Sequence, residues 1–391
     1  MNPARALRTH RFLFRIALSA ANTFAWILIF SYFSHIMGVT EALARTAFLY
    51  ALAFCVAILV VPYSARLLER GARESMLYAS AFAGAAFLIL GAFFAGVWGS
   101  VYVGGILMFV VSLGMYRALY WIPYAVEIHE LSVARMTSAL LDVAIALVPA
   151  VAGFFIASYP LGVAWVFFTA AFIAIVSGYL LVFLPDIVER FSWGYTETFG
   201  HLFSRKYRRT FLRSILEGMQ GATLFFLWPI AAFLIVGSSF SLFGLVLSLT
   251  FLFALVLRAP MRALLGRMRM KDAVLLHTAV GASAWIARTL VANPLGIVLV
   301  DTYAHTGGSG REGVDILAWE QAADGGSYVD EQTALKEIGL GVGRIVICIT
   351  AALLALSFTI SVAFLVTFII AAMSAGASMI IARVPRSKVE K

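Results

Sequence analysis

Charged residues are scarce in this sequence, and their scarcity excludes most classes of soluble protein. Only 13% of the 391 residues are charged, whereas a soluble globular domain has about 25%. Apolar residues make up 62% of the chain, and its mean hydropathy is +0.95. Apolar tracts of about 20 residues, the length that crosses a bilayer, follow one another and leave no room for a separate soluble domain. The sequence therefore predicts an integral membrane protein.

Cysteine and the common catalytic motifs are also nearly missing. Cys55 and Cys348 are the two cysteines, and each lies in an apolar tract without a Cys or His at ligand spacing, so we predict neither a disulfide nor a metal site. His129 and Glu130 lack the second histidine of HExxH, and residues 307–310 lack the GxxxxGK[ST] pattern of a nucleotide cradle. The sequence predicts no catalytic residue and no cofactor.

Basic residues outnumber acidic ones, with 29 Lys and Arg against 20 Asp and Glu. They lie in short breaks between apolar tracts rather than on one soluble face, which argues against a nucleic-acid partner. This distribution is typical of cytoplasmic loops and predicts a multi-pass protein of the inner (plasma) membrane with both termini in the cytoplasm. The basic loop residues include Arg66, Arg70, Arg73, Arg205, Lys206, Arg208, Arg209, Arg213, Arg383, Arg386 and Lys388.

A basic loop divides about twelve apolar tracts into two groups of six. We predict an N-terminal six-helix bundle at 1–190, a cytoplasmic central loop at 191–213 and a C-terminal six-helix bundle at 214–391. The two groups resemble each other at an offset of roughly 200 residues, since the arginines that follow Pro62 correspond to those that follow Pro260. The expected fold is all-α, with two pseudo-symmetric bundles in a monomer.

The tenth apolar tract, Pro294 to Asp315, carries Asp301 and His305 one helical turn apart and then breaks into glycines. An ionisable residue inside a span costs roughly 2.5–3.5 kcal/mol, so it normally faces a cavity or a partner. Glycine interruptions in a short span point to a transporter's binding site. We predict that Asp301, without a fixed cationic partner, and His305 bind and release protons. A structural pair is the alternative.

Three further ionisable residues are candidates in or near the spans. Arg117 in the fourth span and Asp142 in the fifth lie at similar depths, so we predict a pair that either binds substrate and gates or holds two helices together. Glu217, near the start of the seventh span, is either a proton-coupling carboxylate or a solvated residue at the cytoplasmic mouth.

The arginines of the later spans lead to two different expectations. Arg344 follows three glycines in the eleventh span and either meets an anionic substrate or pairs with Glu337. Arg288 lies near the outer end of the ninth span, where we expect it to extend to the membrane interface. Aromatic residues such as Trp26 and Trp228 are candidates for a cavity wall, although most aromatic side chains are expected to be interfacial or packing residues.

The loop after the second span reads ARLLERGAR from Ala65 to Arg73. It resembles the loop of the major facilitator superfamily that carries a Gly, then Asp-Arg, then Gly and basic residues. Ala65 replaces the first glycine, Glu69 replaces the aspartate, and one residue is missing before Gly71. We expect Glu69 and Arg70 to pair at the cytoplasmic surface and, with Gly71 and Arg73, to favour one of two arrangements of the halves.

The fifth span contains AIALVPAVAG, from Ala144 to Gly153. This segment is similar to the Gly-Pro signature of proton-coupled exporters of the same superfamily, with Pro149 and Gly153 in place and Val148 and Ala152 where glycines are usual. A proline permits a bend, and small residues let helices approach closely. The resemblance therefore implies export and a conformational role for Pro149 and Gly153.

These features together favour a secondary active transporter of a small solute that works by alternating access and is coupled to protons. Its partners would be the solute, protons and the lipid bilayer. Two alternatives stay open: a membrane-embedded enzyme, and a sensor or scaffold that keeps a transporter fold without transporting. Substrate-dependent flux separates the three.

Overall fold

The computed structural model describes residues 2–97, 102–130, 139–188, 191–267, 273–307 and 329–383. These residues form helices joined by short turns, and no strand occurs among them. The first helix illustrates how local sequence sets a boundary: Asn2 Oδ1 accepts a hydrogen bond from the Ala4 N–H at 3.0 Å, and Pro3 occupies the first helical position. The all-α architecture is as predicted.

The first half of the chain consists of six long helices, all of them long and apolar enough to cross a membrane. They are α1 (Pro3–Met37), α2 (Val39–Leu67), α3 (Ala72–Phe94), α4 (Tyr102–Glu130), α5 (Ala139–Ser158) and α6 (Gly162–Tyr179).

The second half contains shorter and more varied helices. They are α7 (Tyr195–Leu202), α8 (Arg208–Ala222), α9 (Trp228–Ile235), α10 (Phe240–Arg267), α11 (Ala273–Arg288), α12 (Pro294–Gly307), α13 (Val329–Ser357) and α14 (Ile360–Arg383). In the described parts of the chain, ten helical segments are long and apolar enough to cross a membrane. The helices α11 and α12 are shorter, and they adjoin segments 268–272 and 308–328. The predicted glycine break at 307–310 falls outside the described residues, except for Gly307.

The seventh span is interrupted where it meets the centre of the molecule. Residues Thr223–Leu227 form a π-helical turn that joins α8 to α9. Pro229 explains the interruption, because it has no N–H to donate to the carbonyl of Phe225 and so breaks the regular α-helical ladder. The turn exposes Leu224 and Phe225 to the central cavity.

The two halves meet along close helix contacts made by glycines. A Cβ at Gly153 of α5 would overlap the carbonyl oxygen of Phe240, and a Cβ at Gly244 of α10 would overlap that of Pro149. On the α2–α13 side, a Cβ at Gly341 would lie 2.7 Å from Ile58 Cγ1. The sequence expectation that small residues let these spans approach closely agrees with this packing.

Candidate substrate cavity

A cavity lies between the two halves, with an interior of about 110 Å³ open to water-sized molecules. Helices α1, α2, α4 and α5 supply the wall on one side, and the π turn, α9, α10 and α12 supply the other. Aromatic side chains cover much of the wall, including Trp26, Tyr50 and Trp228. The cavity is therefore shared by both halves, so a relative movement of the halves would change its shape.

Asp301 lies in this wall as part of a buried three-residue network. Arg288 donates to Asp301 Oδ1 from Nη2 at 2.7 Å and from Nε at 3.0 Å. Trp228 Nε1 donates to the other carboxylate oxygen, Oδ2, at 2.8 Å. The Arg288 guanidinium also lies 4.4 Å from the ring centroid of Trp285 and 5.3 Å from that of Trp228. Both carboxylate oxygens are thus held by fixed donors.

This network corrects two expectations from the sequence. Asp301 was expected to lack a fixed cationic partner, yet Arg288 occupies that position. Arg288 was expected to extend to the outer interface, yet it is only 4% exposed. The reason is geometric: α11 ends at Arg288, Asn293 caps the start of α12 by accepting the Gly296 N–H at 2.7 Å, and the tight turn brings the arginine beside the second turn of α12. Pairing then offsets the desolvation of both charges.

His305 lies one turn beyond Asp301 and also lines the cavity. Its ring meets that of Phe251 edge to face, with centroids 5.8 Å apart. Asp301 and His305 therefore share the helix face that their spacing predicts. Their function in proton binding stays a prediction.

The structure shows a basic neighbour of Asp142 that the sequence did not predict, and the expected pair of Arg117 and Asp142 stays a prediction. Asp142 Oδ1 lies 3.6 Å from Arg15 Nη1, and both residues are largely buried. Arg117 lines the cavity and places its guanidinium 4.8 Å from the Phe54 ring centroid. The helix α5 packs mainly on α1, α6 and α10, so α1 supplies a basic neighbour to Asp142.

Arg344 and Glu217 lie outside the cavity wall. Arg344 is buried against Phe54, with its guanidinium 4.6 Å from the ring centroid, and it forms no ion pair with Glu337 or any other residue in the described ranges. Glu217 pairs with Arg213 at 2.7 Å on α8, where Arg213 is half exposed. Glu217 itself is 28% exposed, and its role stays a prediction.

The loop after α2 is held by Arg73 rather than by the expected pair of Glu69 and Arg70. Glu69 and Arg70 are exposed and join no ion pair with the described residues. Instead, Arg73 contacts Asp186 at 3.0 Å and the Leu184 carbonyl at 3.3 Å. Gly71, at φ 129°, turns the chain towards this contact, and a Cβ there would overlap the Asp186 side chain. The acidic partner therefore comes from the segment after α6.

One set of cavity residues was missed from the sequence. Ser19, Asn22 and Thr23 follow one face of α1 at helical spacing and line the cavity. The signal was present as three polar residues spaced i, i+3 and i+4 in an apolar span. Polar residues of this size are common in membrane helices, so the spacing alone did not distinguish them.

Comparisons with known proteins place this geometry in a known fold. The chain is similar to a D-xylose–proton symporter, with 16% identity, 98% of this chain and 97% of that chain covered, and a TM-score of 0.66. It is also similar to the xylose transporter XylE from E. coli in a partially occluded inward-open conformation, with 12% identity, both chains fully covered and a TM-score of 0.65. The nucleoside transporter NupG gives 12% identity, coverage of 96% and 99%, and a TM-score of 0.62.

Comparison of the sequence with protein-family models and with curated proteins finds no match. The likeness is therefore one of structure, and it spans nearly the full length of the chain and of the solved transporters. The chain has the fold of these solved transporters, and its all-α membrane architecture is the one that the sequence predicts.

Proposed function

We propose that the protein is a secondary active transporter that moves a small solute by alternating access and couples this movement to protons. The observation that supports the proposal is the cavity shared by the two halves, with Asp301 in its wall and paired with the buried Arg288. Solved structures with this fold include a D-xylose–proton symporter and a nucleoside transporter. On this proposal the chain works as a transporter rather than an enzyme, a sensor or a scaffold.

Coupling on this proposal requires the Asp301–Arg288 pair to open during the cycle. While the pair is closed, the guanidinium and the Trp228 N–H stabilise the charged carboxylate. When Arg288 moves away, Asp301 is left in a buried site that favours its neutral form, and it takes up a proton. His305, one turn away on the same wall, modulates this step. A relative shift of α11 and α12, or competition by substrate, opens the pair.

The glycine contacts between the halves are the proposed pivots of this movement. Gly153 and Gly244 bring α5 and α10 together, and Pro149 lies at the same contact. At the proposed cytoplasmic surface, Arg73 and Asp186 hold the α2–α3 loop to the segment after α6. Breaking and re-forming such contacts would bias two arrangements of the bundles. We propose that the direction of transport is export, because the segment that contains Pro149 and Gly153 is similar to a signature of proton-coupled exporters.

Flux measurements test the proposal directly. Purified protein in proteoliposomes is offered a panel of labelled sugars, nucleosides, peptides and organic acids, with and without an imposed pH gradient. We expect at least one solute to accumulate against its concentration gradient. This accumulation should be lost when a protonophore removes the pH gradient. Gradient-independent equilibration would contradict coupling, and chemical conversion of a solute without net flux would favour the enzyme alternative.

Orientation is tested separately by cysteine labelling of intact cells, in a background without Cys55 and Cys348. A cysteine at Asn293, in the turn before α12, should react with an impermeant reagent, whereas one at Arg208 should be protected. Reaction at Arg208 from outside would reject the proposed cytoplasmic central loop and the cytoplasmic termini.

A further inference from the structure

Helix α1 presents Ser19, Asn22 and Thr23 to the cavity, and these residues are called here the α1 polar face. Their side-chain oxygens, Ser19 Oγ, Asn22 Oδ1 and Thr23 Oγ1, are buried and have no hydrogen-bond partner within the described ranges. Ser19 as a whole is only 6% exposed. Buried polar atoms are normally satisfied. Because all three residues line the cavity, a molecule within it can reach these oxygens.

Other hydroxyls in the membrane helices behave differently. Thr46, Thr250 and Thr367 each donate to the carbonyl four residues earlier, at 2.7 to 2.9 Å. This local bond is the usual solution for a threonine in an apolar helix. Thr250 uses it although it lines the same cavity, whereas Ser19 and Thr23 do not. The hydroxyls of the α1 polar face therefore stay available to a ligand.

The chemistry of the three oxygens restricts the group that can bind them. Asn22 Oδ1 can only accept a hydrogen bond, so the ligand must donate. The hydroxyls of Ser19 and Thr23 can both donate and accept. An ionised carboxylate only accepts and would leave Asn22 Oδ1 unpaired, whereas an ammonium only donates and would leave the two hydroxyl protons unpaired. A hydroxyl group does both, and two neighbouring hydroxyls can serve all three oxygens.

Trp26 continues the same face of α1 beyond the polar residues. It follows Asn22 by four residues and Thr23 by three, which places it one helical turn further along. Its ring lines the cavity together with those of Tyr50 and Trp228, and it meets the Tyr50 ring edge to face with centroids 4.9 Å apart. Aromatic walls beside a few placed polar groups are typical of small-molecule sites.

The geometry points to a solute with neighbouring hydroxyl groups, a vicinal diol, as the substrate. This inference rests on the proposed function and defines its substrate class. One hydroxyl of the diol donates to Asn22 Oδ1, and its neighbour exchanges hydrogen bonds with Ser19 and Thr23. The rings of the cavity wall cover the C–H faces of the solute. Free sugars and the ribose of a nucleoside both carry such a diol, and no covalent step is involved.

The test is equilibrium binding to the purified full-length chain in detergent, with no gradient present. Tryptophan fluorescence and thermal unfolding are followed during titration with pairs of compounds that differ by one hydroxyl. The pairs are glucose and deoxyglucose, adenosine and deoxyadenosine, and cyclohexanediol and cyclohexanol. In at least one pair we expect the diol to bind at least about tenfold more tightly, because its partner leaves a buried oxygen unpaired. The glucose and adenosine pairs distinguish a free sugar from a nucleoside.

Variants then locate the site. Asn22→Leu and Thr23→Val should weaken binding of that diol at least about tenfold and bring it close to the binding of the compound with one hydroxyl fewer. Thr46→Val, which removes a hydroxyl already bonded within α2, should leave binding unchanged. Thr23→Val should keep the melting temperature of the ligand-free protein, because its hydroxyl makes no bond within the described ranges. This comparison separates lost recognition from misfolding.

Three results would overturn the inference. They are equal binding of the two members of every pair, binding of no diol in the panel, and equal effects of Thr23→Val and Thr46→Val. The flux assay fails independently of this test. Diol binding without flux would reject transport and keep the site, whereas accumulation of a solute without hydroxyl groups would keep transport and reject the substrate class.

Discussion

The carboxylate of Asp301 accepts two hydrogen bonds from Arg288 on one oxygen, at 2.7 and 3.0 Å, inside the wall of the central cavity. The second oxygen accepts from Trp228. A carboxylate held in this way is part of the fold as well as a candidate coupling site. Its variants must therefore be compared for stability before their transport is interpreted.

Removing one partner of this pair should destabilise the protein more than removing both. A buried charge left without its partner costs about 3–5 kcal/mol, whereas replacing both partners is often nearly neutral. We expect Arg288→Gln and Asp301→Asn to lower the melting temperature in detergent, and the double variant to recover much of the loss. Strictly additive losses would contradict the energetic coupling of Asp301 and Arg288.

The contact between Arg73 and Asp186 should affect turnover more than substrate affinity. Both side chains are about one-third or more exposed, at 34% and 41%, so the pair contributes only about 0–1 kcal/mol to stability. We expect Arg73→Ala to slow transport while equilibrium binding stays unchanged, because the pair lies far from the cavity and biases the arrangement of the halves.

Arg70→Ala is the matched control for the Arg73 variant. From the sequence, Arg70 was the residue expected to gate, but it is exposed and unpaired among the described side chains. We now expect its replacement to leave transport near the wild-type rate. Loss of affinity in Arg73→Ala, or equal slowing in both variants, would contradict a gating contact centred on Arg73.

The α5–α10 contact should not tolerate a side chain at Gly153. A Cβ there would overlap the Phe240 carbonyl oxygen, and backbone cannot move aside as easily as the end of a side chain. We expect Gly153→Val to lower the melting temperature and the transport rate together. Gly376→Ala serves as control, because nothing lies within 4 Å of its added Cβ. Normal transport by Gly153→Val would reject this contact as a pivot.

The fold was predictable because its signals are long and redundant. Apolar tracts of spanning length and basic loops recur along the whole chain, so an error in one tract hardly changes the result. The i, i+4 spacing of Asp301 and His305 similarly predicted that both residues share one face. These features depend on local periodicity, which is present in the sequence itself.

Partners of charged residues were not predictable in the same way. The contact of Asp142 with Arg15 was not predicted, because it depends on α1 lying beside α5. Arg288 was assigned to the interface because it lies near a helix end, but its long side chain can extend in either direction. The Arg15–Asp142 contact and the position of Arg288 both depend on lateral packing, which a hydropathy pattern does not encode.

The measurement that tests the account most directly is pH-gradient-driven accumulation by Asp301→Asn in proteoliposomes. Asparagine keeps the size of the side chain but cannot take up a proton, so we predict that accumulation is lost while counterflow exchange of the same solute continues. The double variant Asp301→Asn/Arg288→Gln, which we expect to recover stability, controls for misfolding. It should also lose accumulation and keep counterflow exchange. His305→Gln should only shift the pH optimum. Full gradient-driven accumulation by Asp301→Asn would contradict the account and make Asp301 a structural residue.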